Sequence, residues 1–415
     1  MAFRPVLNTP VLERISLLAC GHLMLLIIGQ ARLSLARMLL GFVAAASLTS
    51  PVASFANRPP LLRRGELLQT RAAPQASTCI SGLSELSANY DGFIVDQWGV
   101  LFNANAPYDG AVAALEALKK KGKKVVLLSN SSKRRAQAIS NLAKMGLPPP
   151  GDRSLYFDII TSGEITQSLV TSGRAALTHP AITPGSKVFV FGSGDDDAGY
   201  VSSLGCELAG PAACDWVLAR GNFVLVRGAG EGGVVKIPGG DPSDNFQAQT
   251  RYFVSAASGL GLARSRGCPM LVANPDTIRP GTNNPMPGTI GSLYGTQGRL
   301  EGDEMGRGGD VMFVGKPHAA VYTEALRVLA ESGVAVQDRG RLCAVGDAMA
   351  TDIAGSGLHL GPEAGRVLVA HGIHAAALGV PEGRGQKPEP EAVERFVAPF
   401  EEGNRPTHVV PAFVW

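Results

Sequence analysis

No lysine occurs before Lys119 and no aspartate before Asp91, yet Arg4, Arg14, Arg32, Arg37, Arg58, Arg63, Arg64 and Arg71 are spread through the first eighty or so residues. A basic, nearly acid-free start of this kind does not read as the beginning of a folded core. Its two apolar runs, Ile15–Gly29 and Met38–Leu48, fall short of the roughly 20 residues that cross a bilayer, so no stable membrane span is expected in the mature chain. CxxC spacing is also missing. The six cysteines, Cys20, Cys79, Cys206, Cys214, Cys268 and Cys343, are scattered, which argues against a zinc site or a disulfide scaffold. Free, partly buried thiols are expected, with Cys206–Cys214 left open as a pairing. A net charge of +3 over 415 residues gives no reason to expect a nucleic-acid partner.

What is present fits a globular enzyme-sized chain. Hydrophobic residues make up 45% and charged residues 18%, enough for a real core, and the length implies two or three structural units. The 51 glycines imply many tight turns and some long loops. The second apolar run is followed by Pro51-Val52-Ala53-Ser54, small residues suited to cleavage, and then by a stretch rich in arginine, proline and alanine. Together these resemble a bipartite plastid presequence, with mitochondrial import, the secretory pathway and a retained anchor as alternatives. Residues 1–79 are therefore expected to be a targeting presequence, removed or disordered, and outside the fold.

From Ile80 the pattern changes. Phe93–Val95, Val125–Leu128, Val311–Val314, Leu342–Val345 and Val367–Ala370 are short continuous apolar runs, as suits parallel strands buried on both faces. Gly110–Lys121 lies between the first two, with Val112, Leu115 and Leu118 at helical spacing. Lys119-Lys120-Lys121 favours the negative end of that helix and Gly122 ends it. This βαβ rhythm predicts an α/β fold with a doubly wound parallel sheet.

Each strand ends on chemistry. Asp96 follows the first, Ser129-Asn130 the second, Gly315-Lys316 the third, and Gly346-Asp347 with Asp352 the fourth. The carboxyl ends of parallel strands share one crevice, so these groups converge despite their separation in sequence. Carboxylates there can hold a hard cation such as Mg²⁺, and Ser129 and Lys316 can grip phosphoryl oxygens. Singly each signal is ordinary: a strand-end Asp is often a helix cap, Ser129 can be an N-cap, and a lone lysine is usually a surface residue. The acidic run Gly194-Asp195-Asp196-Asp197 lacks spaced ligands and reads as an exposed turn.

The segments DQWGVL, LLSNSSKR, FVGKPHAAVY and AVGDAMATDIAGS, in that order, resemble the haloacid dehalogenase superfamily of phosphohydrolases. They match the subclass with a large α/β cap inserted between the second and third motifs, over roughly Gly92 to His374. The resemblance implies a Rossmann-like core at 80–161 and 275–415 and a cap at 162–274, with Val188–Phe191 and Trp216–Ala219 as cap strands. A glycine-rich loop insertion is expected near 222–262, a charged insertion at Gly298–Asp310, and the cap's exit at Val272–Asp276. Thr161–Glu164 reads as a hinge and substrate loop or as a helix start capped by Ser162.

It also implies residue roles. Asp96 would attack phosphorus and carry an aspartyl-phosphate. Ser129 would bind the transferring group and Lys316 would neutralise its charge, with Asn130 and Gly315 assisting ligand binding. Asp96, Asp347 and the backbone carbonyl of Trp98 would hold Mg²⁺, and Asp352 would support the metal or orient Lys316. The implied substrate is a small phosphorylated metabolite, and the resemblance admits a homodimer through the cap.

One residue departs from the pattern. Most phosphatases of this superfamily read Asp-x-Asp at the first motif, and the second acid moves the proton. Here that position is Trp98, whose indole cannot exchange protons near neutral pH, a loss of about 10²–10⁴ in rate. Three readings stay open: a phosphatase with impaired acid–base catalysis, a catalytically weak phosphate-ligand-binding or regulatory protein, and a 2-haloacid dehalogenase. His318 is expected to pack or cap rather than replace the acid. The acid pair Asp347 and Asp352 weighs against the dehalogenase, whose chemistry needs no metal.

Overall fold

The computed structural model describes residues 77–103, 106–228, 233–237, 259–279, 285–300 and 310–415. The expected presequence through position 76, most of the 222–262 stretch and positions 301–309 lie outside the described residues.

One sheet is wholly parallel. It comprises β1 (Thr78–Cys79), β2 (Gly92–Val95), β3 (Lys124–Ser129), β4 (Asp158–Thr161), β12 (Leu342–Gly346), β13 (Gly365–Val369) and β14 (His408–Val410), in the order β1-β14-β13-β12-β2-β3-β4. The chain winds one way from β2 to β3 and β4, then returns on the other side through β12, β13 and β14. The switch point therefore lies between β2 and β12, and a crevice opens at their carboxyl ends. Ile94, Val126 and Leu128 bury one face of this sheet against Tyr322, Ala325 and Leu329 of the helix Ala319–Glu331. Phe93, Val95 and Leu127 bury the opposite face against Leu115 and Leu118 of the helix Ala111–Lys120. Two-sided burial is the reason these strands are apolar throughout instead of alternating.

A second sheet holds β5 (Lys187–Gly192), β6 (Glu207–Leu208), β7 (Trp216–Ala219), β8 (Val224–Val226), β9 (Val234–Lys236), β10 (Met270–Val272) and β11 (Val311–Phe313). Its order is β11-β10-β7-β5-β8-β9, with β6 also pairing β5. The two expected cap strands, Val188–Phe191 and Trp216–Ala219, form adjacent parallel members of it.

Four expectations about boundaries need correction. Val311–Phe313 is not a strand of the large parallel sheet: it pairs with β10 in register Met270↔Val311 and is only half-buried. The second layer consequently continues past position 274, through the helix Pro287–Leu300, which packs on β7, β10 and β11. Thr78–Cys79, assigned to the presequence, pairs with His408 and Val409 of β14. Within 222–262, β8 and β9 are strands antiparallel to their neighbours, so that part of the insertion is sheet.

Among the described residues no helix is long and apolar enough to cross a membrane. The helix beginning at Ser162 is capped by Thr161, whose hydroxyl accepts the Glu164 N–H at 3.1 Å. Ser162 is its first residue, and its hydroxyl instead donates to the Asn130 carbonyl at 2.7 Å. A T-x-x-E start satisfies one of the orphan N–H groups of the first turn, so the cap falls one residue earlier than expected. His318 behaves as expected: its ring stacks on Phe313 with centroids 5.7 Å apart.

Candidate active site

The strand registers bring the expected residues to one edge. Val95 lies opposite Leu127 on one side and Val345 on the other, and the Asp96 N–H donates to the Val345 carbonyl at 2.9 Å. Asp96, Ser129 and Asp347 thus leave three neighbouring strands at the switch point. Lys316 reaches the same place from outside this sheet, two residues after the loop residue Val314. Its ammonium is ion-paired with Asp96 and lies 2.7 Å from Asp352 Oδ1. Lys316, Asp347 and Asp352 are buried, Asp96 is nearly so, and Ser129 is half-buried.

The Lys316 backbone is held as firmly as its side chain. Asn130 Oδ1 accepts the Lys316 N–H at 2.7 Å, and Asn130 Nδ2 donates to the Lys316 carbonyl at 3.2 Å and to Asp276 Oδ1 at 2.8 Å. Gly315, at φ +129°, lets the chain pass this clamp. A Cβ there would stand 2.6 Å from Pro275 Cδ and 2.7 Å from Asn130 Oδ1, contacts no side chain tolerates. Asn130 and Gly315, expected to assist ligand binding, both position Lys316: the carboxamide of Asn130 bonds to its backbone, and Gly315 lets the chain pass. Ser129 Oγ accepts the Ser131 N–H at 3.2 Å, which orders the loop that follows it.

Asp352 sits in a wide turn, where Ile353 N–H bonds back to the Ala348 carbonyl at 3.2 Å. Its Oδ2 accepts the Ala348 N–H at 3.0 Å, so with Lys316 both oxygens are engaged. Asp347 Oδ2 accepts the Ile373 N–H at 2.9 Å. A Cβ on Gly99 or Gly372 would collide with the Asp347 carboxylate, so backbone from two loops packs directly on this acid. Gly99 adopts φ +80° in a tight turn where the Gln97 carbonyl accepts the Leu101 N–H at 2.8 Å and the Phe102 N–H at 3.2 Å. The ring of Trp98 in that turn is 38% exposed, so it is no part of the core.

Three buried carboxylates face one ammonium. Burial, opposed by Lys316 and aided by Asp352, pushes the Asp96 pKa up to about 7. Burial and then the charges of Asp96 and Asp352 raise that of Asp347 well above the usual carboxylate range. Burial would lower the pKa of Lys316, but Asp352 and Asp96 more than offset it and raise it. Carboxylate oxygens of Asp96, Asp347 and Asp352 all lie within 4.8 Å of one another. An excess of hard oxygen donors with unbalanced negative charge is the chemistry that suits a divalent cation such as Mg²⁺.

The acidic run at 194–197 does other work. Lys133 pairs with Asp195 at 2.8 Å, and Asp196 caps the helix Asp197–Ser203 by accepting the Gly199 N–H. Asp197, expected to be exposed, is buried in an ion pair with Arg220. Sequence reasoning missed that pair; Asp276 lies in the Asn274–Asp276 stretch expected near the substrate, and its Oδ1 accepts from Asn130 Nδ2.

Three carboxylates and a lysine converge at the switch point of a parallel sheet, as the resemblance to a hydrolase family led one to expect. Residues 93–207 match the haloacid dehalogenase-like hydrolase family and residues 313–411 a second, HAD-hydrolase-like family. The chain belongs to the haloacid dehalogenase-like hydrolases. A glycerol-3-phosphate phosphatase from Gallus gallus is 30% identical over 140 residues, which are 32% of this chain and 41% of that protein. The match thus spans less than half of that relative's length. Two solved structures share the fold. A haloacid dehalogenase-like hydrolase from Brucella suis aligns with a TM-score of 0.56 at 22% identity, over 81% of this chain and all of that one (100%). A possible sugar phosphatase from Cytophaga hutchinsonii aligns with a TM-score of 0.55 at 19% identity, over 82% and 99%.

Proposed function

We propose that the protein is a phosphoric monoester hydrolase acting on a small phosphorylated metabolite. The observation that carries this reading is the Lys316 ammonium bridging Asp96 and Asp352 beside a third buried carboxylate. Asp96 is the nucleophile: its attack on phosphorus forms an aspartyl-phosphate and expels the leaving-group oxygen, which takes its proton from solvent, and water then hydrolyses that acyl phosphate to the free carboxylate and inorganic phosphate. Lys316 neutralises charge gathering on the phosphoryl oxygens, and Ser129 donates to one of them. Asp352 keeps Lys316 ionised and aimed at Asp96. Asp96, Asp347 and the Trp98 carbonyl would hold Mg²⁺, which when bound supplies positive charge to the phosphoryl group and balances the acid cluster.

The test is release of inorganic phosphate from a phosphometabolite panel with Mg²⁺, beginning with glycerol 3-phosphate and p-nitrophenyl phosphate and using Asp96→Asn as control. Release that disappears in the control supports the reading. No release anywhere in the panel defeats it. Trp98 favours a second reading, a phosphate-ligand-binding protein with little turnover; phosphate compounds would then raise the Tm without being hydrolysed. A 2-haloacid dehalogenase leaves the acid pair Asp347 and Asp352 without a task.

We also propose that the arginine-rich N-terminal segment is a plastid import presequence. On this reading cleavage would fall before Thr78, which pairs with His408 in the sheet. Edman sequencing of the native protein checks this, and a mature N-terminus at Met1 would refute it.

A further inference from the structure

Cys214 and Cys268 stand just before β7 and β10, neighbouring parallel strands paired in register Met270↔Val217. Both are free thiols and both are buried. Their Sγ atoms are 3.9 Å apart, about 2 Å beyond a disulfide bond. The Arg266 guanidinium covers the pair: its Nη1 donates to the Cys214 carbonyl at 2.6 Å and lies 3.7 Å from Cys268 Sγ and 4.0 Å from Cys214 Sγ. Cys206, left open as a pairing for Cys214, instead lies 3.7 Å from Ser186 Oγ.

We propose that Cys214 and Cys268 form a redox-active dithiol that a peroxide converts to a disulfide within the second sheet. Cys268 is the reacting thiol. It keeps 6% of its surface exposed against none for Cys214. The Cys214 S–H and, against the opposing effect of burial, Arg266 lower its pKa to about 7. Its thiolate attacks one peroxide oxygen; the O–O bond breaks, hydroxide leaves, and Cys268 becomes a sulfenic acid. The Cys214 sulfur then attacks Cys268 Sγ, the S–O bond breaks, and the departing hydroxide takes the Cys214 proton as water. Two thiols are oxidised and one peroxide becomes two waters. Neither cysteine belongs to the hydrolytic site.

The bond would tie the entrances of two adjacent strands and close the chain between positions 214 and 268, an unfolded-state constraint that favours the native fold. The experiment is peptide mapping of the folded full-length chain after hydrogen peroxide treatment and blocking of remaining thiols. The expected product is a linked Cys214–Cys268 peptide pair that dithiothreitol separates, with a Tm about 5 °C above that of the reduced protein. In Cys214→Ser no bridge forms and dimedone labels Cys268, which identifies the reacting sulfur without requiring the disulfide. Recovery of both residues as separately alkylated thiols, or linkage of Cys214 to Cys206, would overturn the proposal, as would dimedone on Cys214 in Cys268→Ser but none on Cys268 in Cys214→Ser.

Discussion

Replacing Asp347 by asparagine should stabilise the protein without metal and destabilise it relative to wild type with metal. The carboxylate oxygens of Asp96, Asp347 and Asp352 lie within 4.8 Å of one another. At an effective dielectric of about 20, each such pair of charges repels by about 3 kcal/mol. Asp347 faces two of them, and the Lys316 ammonium offsets roughly one. Holding that charge, or taking up a proton instead as its raised pKa allows, costs the metal-free protein about 3 kcal/mol, which Asp347→Asn relieves while its remaining side-chain oxygen still accepts the Ile373 N–H that now bonds at 2.9 Å. In a chain of this size that is a rise in Tm of about 5 °C. Wild type should more than recover its disadvantage when Mg²⁺ is added, gaining about 4.1 kcal/mol at roughly 1,000-fold over the dissociation constant, and the variant should gain little. Thermal denaturation in EDTA and across an MgCl₂ series reads both effects, and the order of the two proteins should cross. A variant that melts lower than wild type in EDTA, or one that keeps the Mg²⁺ shift at the same midpoint, would refute the account of the acid cluster.

Asn130→Ala removes the clamp on the Lys316 backbone and should lower kcat about 10²-fold with KM little changed, because a small misplacement of a charge-neutralising group is felt in the transition state; unchanged kcat would show that Lys316 needs no such support. Gly315→Ala should cost about 1–3 kcal/mol in denaturant unfolding, since φ +129° and contacts near 2.6 Å both oppose a side chain; a neutral result would mean the loop relaxes freely. Trp98→Asp should raise phosphatase kcat by about 10²-fold or more at pH 6–7 by restoring a proton donor, and a fall in activity would count against an unfilled acid role. For Glu164, burial acts to raise the pKa, but hydrogen bonds from Arg134 and the Arg135 N–H more than offset it and hold it below the usual range. A depressed folded pKa stabilises the protein above the unfolded value, near about 4.3, and that contribution fades as pH falls through the folded value. Glu164→Gln should therefore lower the Tm at pH 7 and converge on wild type as pH falls through the depressed folded value; a difference that persists in strong acid would assign the effect to packing.

Much of this architecture was legible in the sequence because buried parallel strands are apolar on both faces and end abruptly on polar groups. Phe93–Val95 with Asp96 and Leu342–Val345 with Asp347 announce both strand and site in one stretch. Val311–Val314 misled for the same reason: a short apolar run marks a strand without saying which sheet it joins, and β11 pairs with β10 in the second sheet. Thr78–Cys79 and His408–Val410 carry almost no periodic signal, being two and three residues long, and are held by pairing with each other and β13. The clamp of Asn130 on Lys316 joins positions 186 apart in the chain, and nothing local to either residue encodes it.

The exposed ring of Trp98 separates two tasks that the usual acid performs together. The turn from Gln97 to Phe102 is built from backbone hydrogen bonds to the Gln97 carbonyl, and it is Gly99, not the indole, that packs on Asp347. What this turn contributes to the acid cluster is main chain, which any residue at position 98 supplies equally. What the ring removes is a proton donor, which only a side chain can supply. On the proposed reading, binding of a cation and a phosphoryl group would rest on Asp96, Asp347, Ser129 and Lys316, whatever occupies position 98, while turnover would depend on where the leaving group finds its proton. A substrate whose leaving group departs well without protonation would escape that dependence, so acetyl phosphate and p-nitrophenyl phosphate should outperform alkyl phosphates in kcat by about the 10²–10⁴ that general acid catalysis is worth.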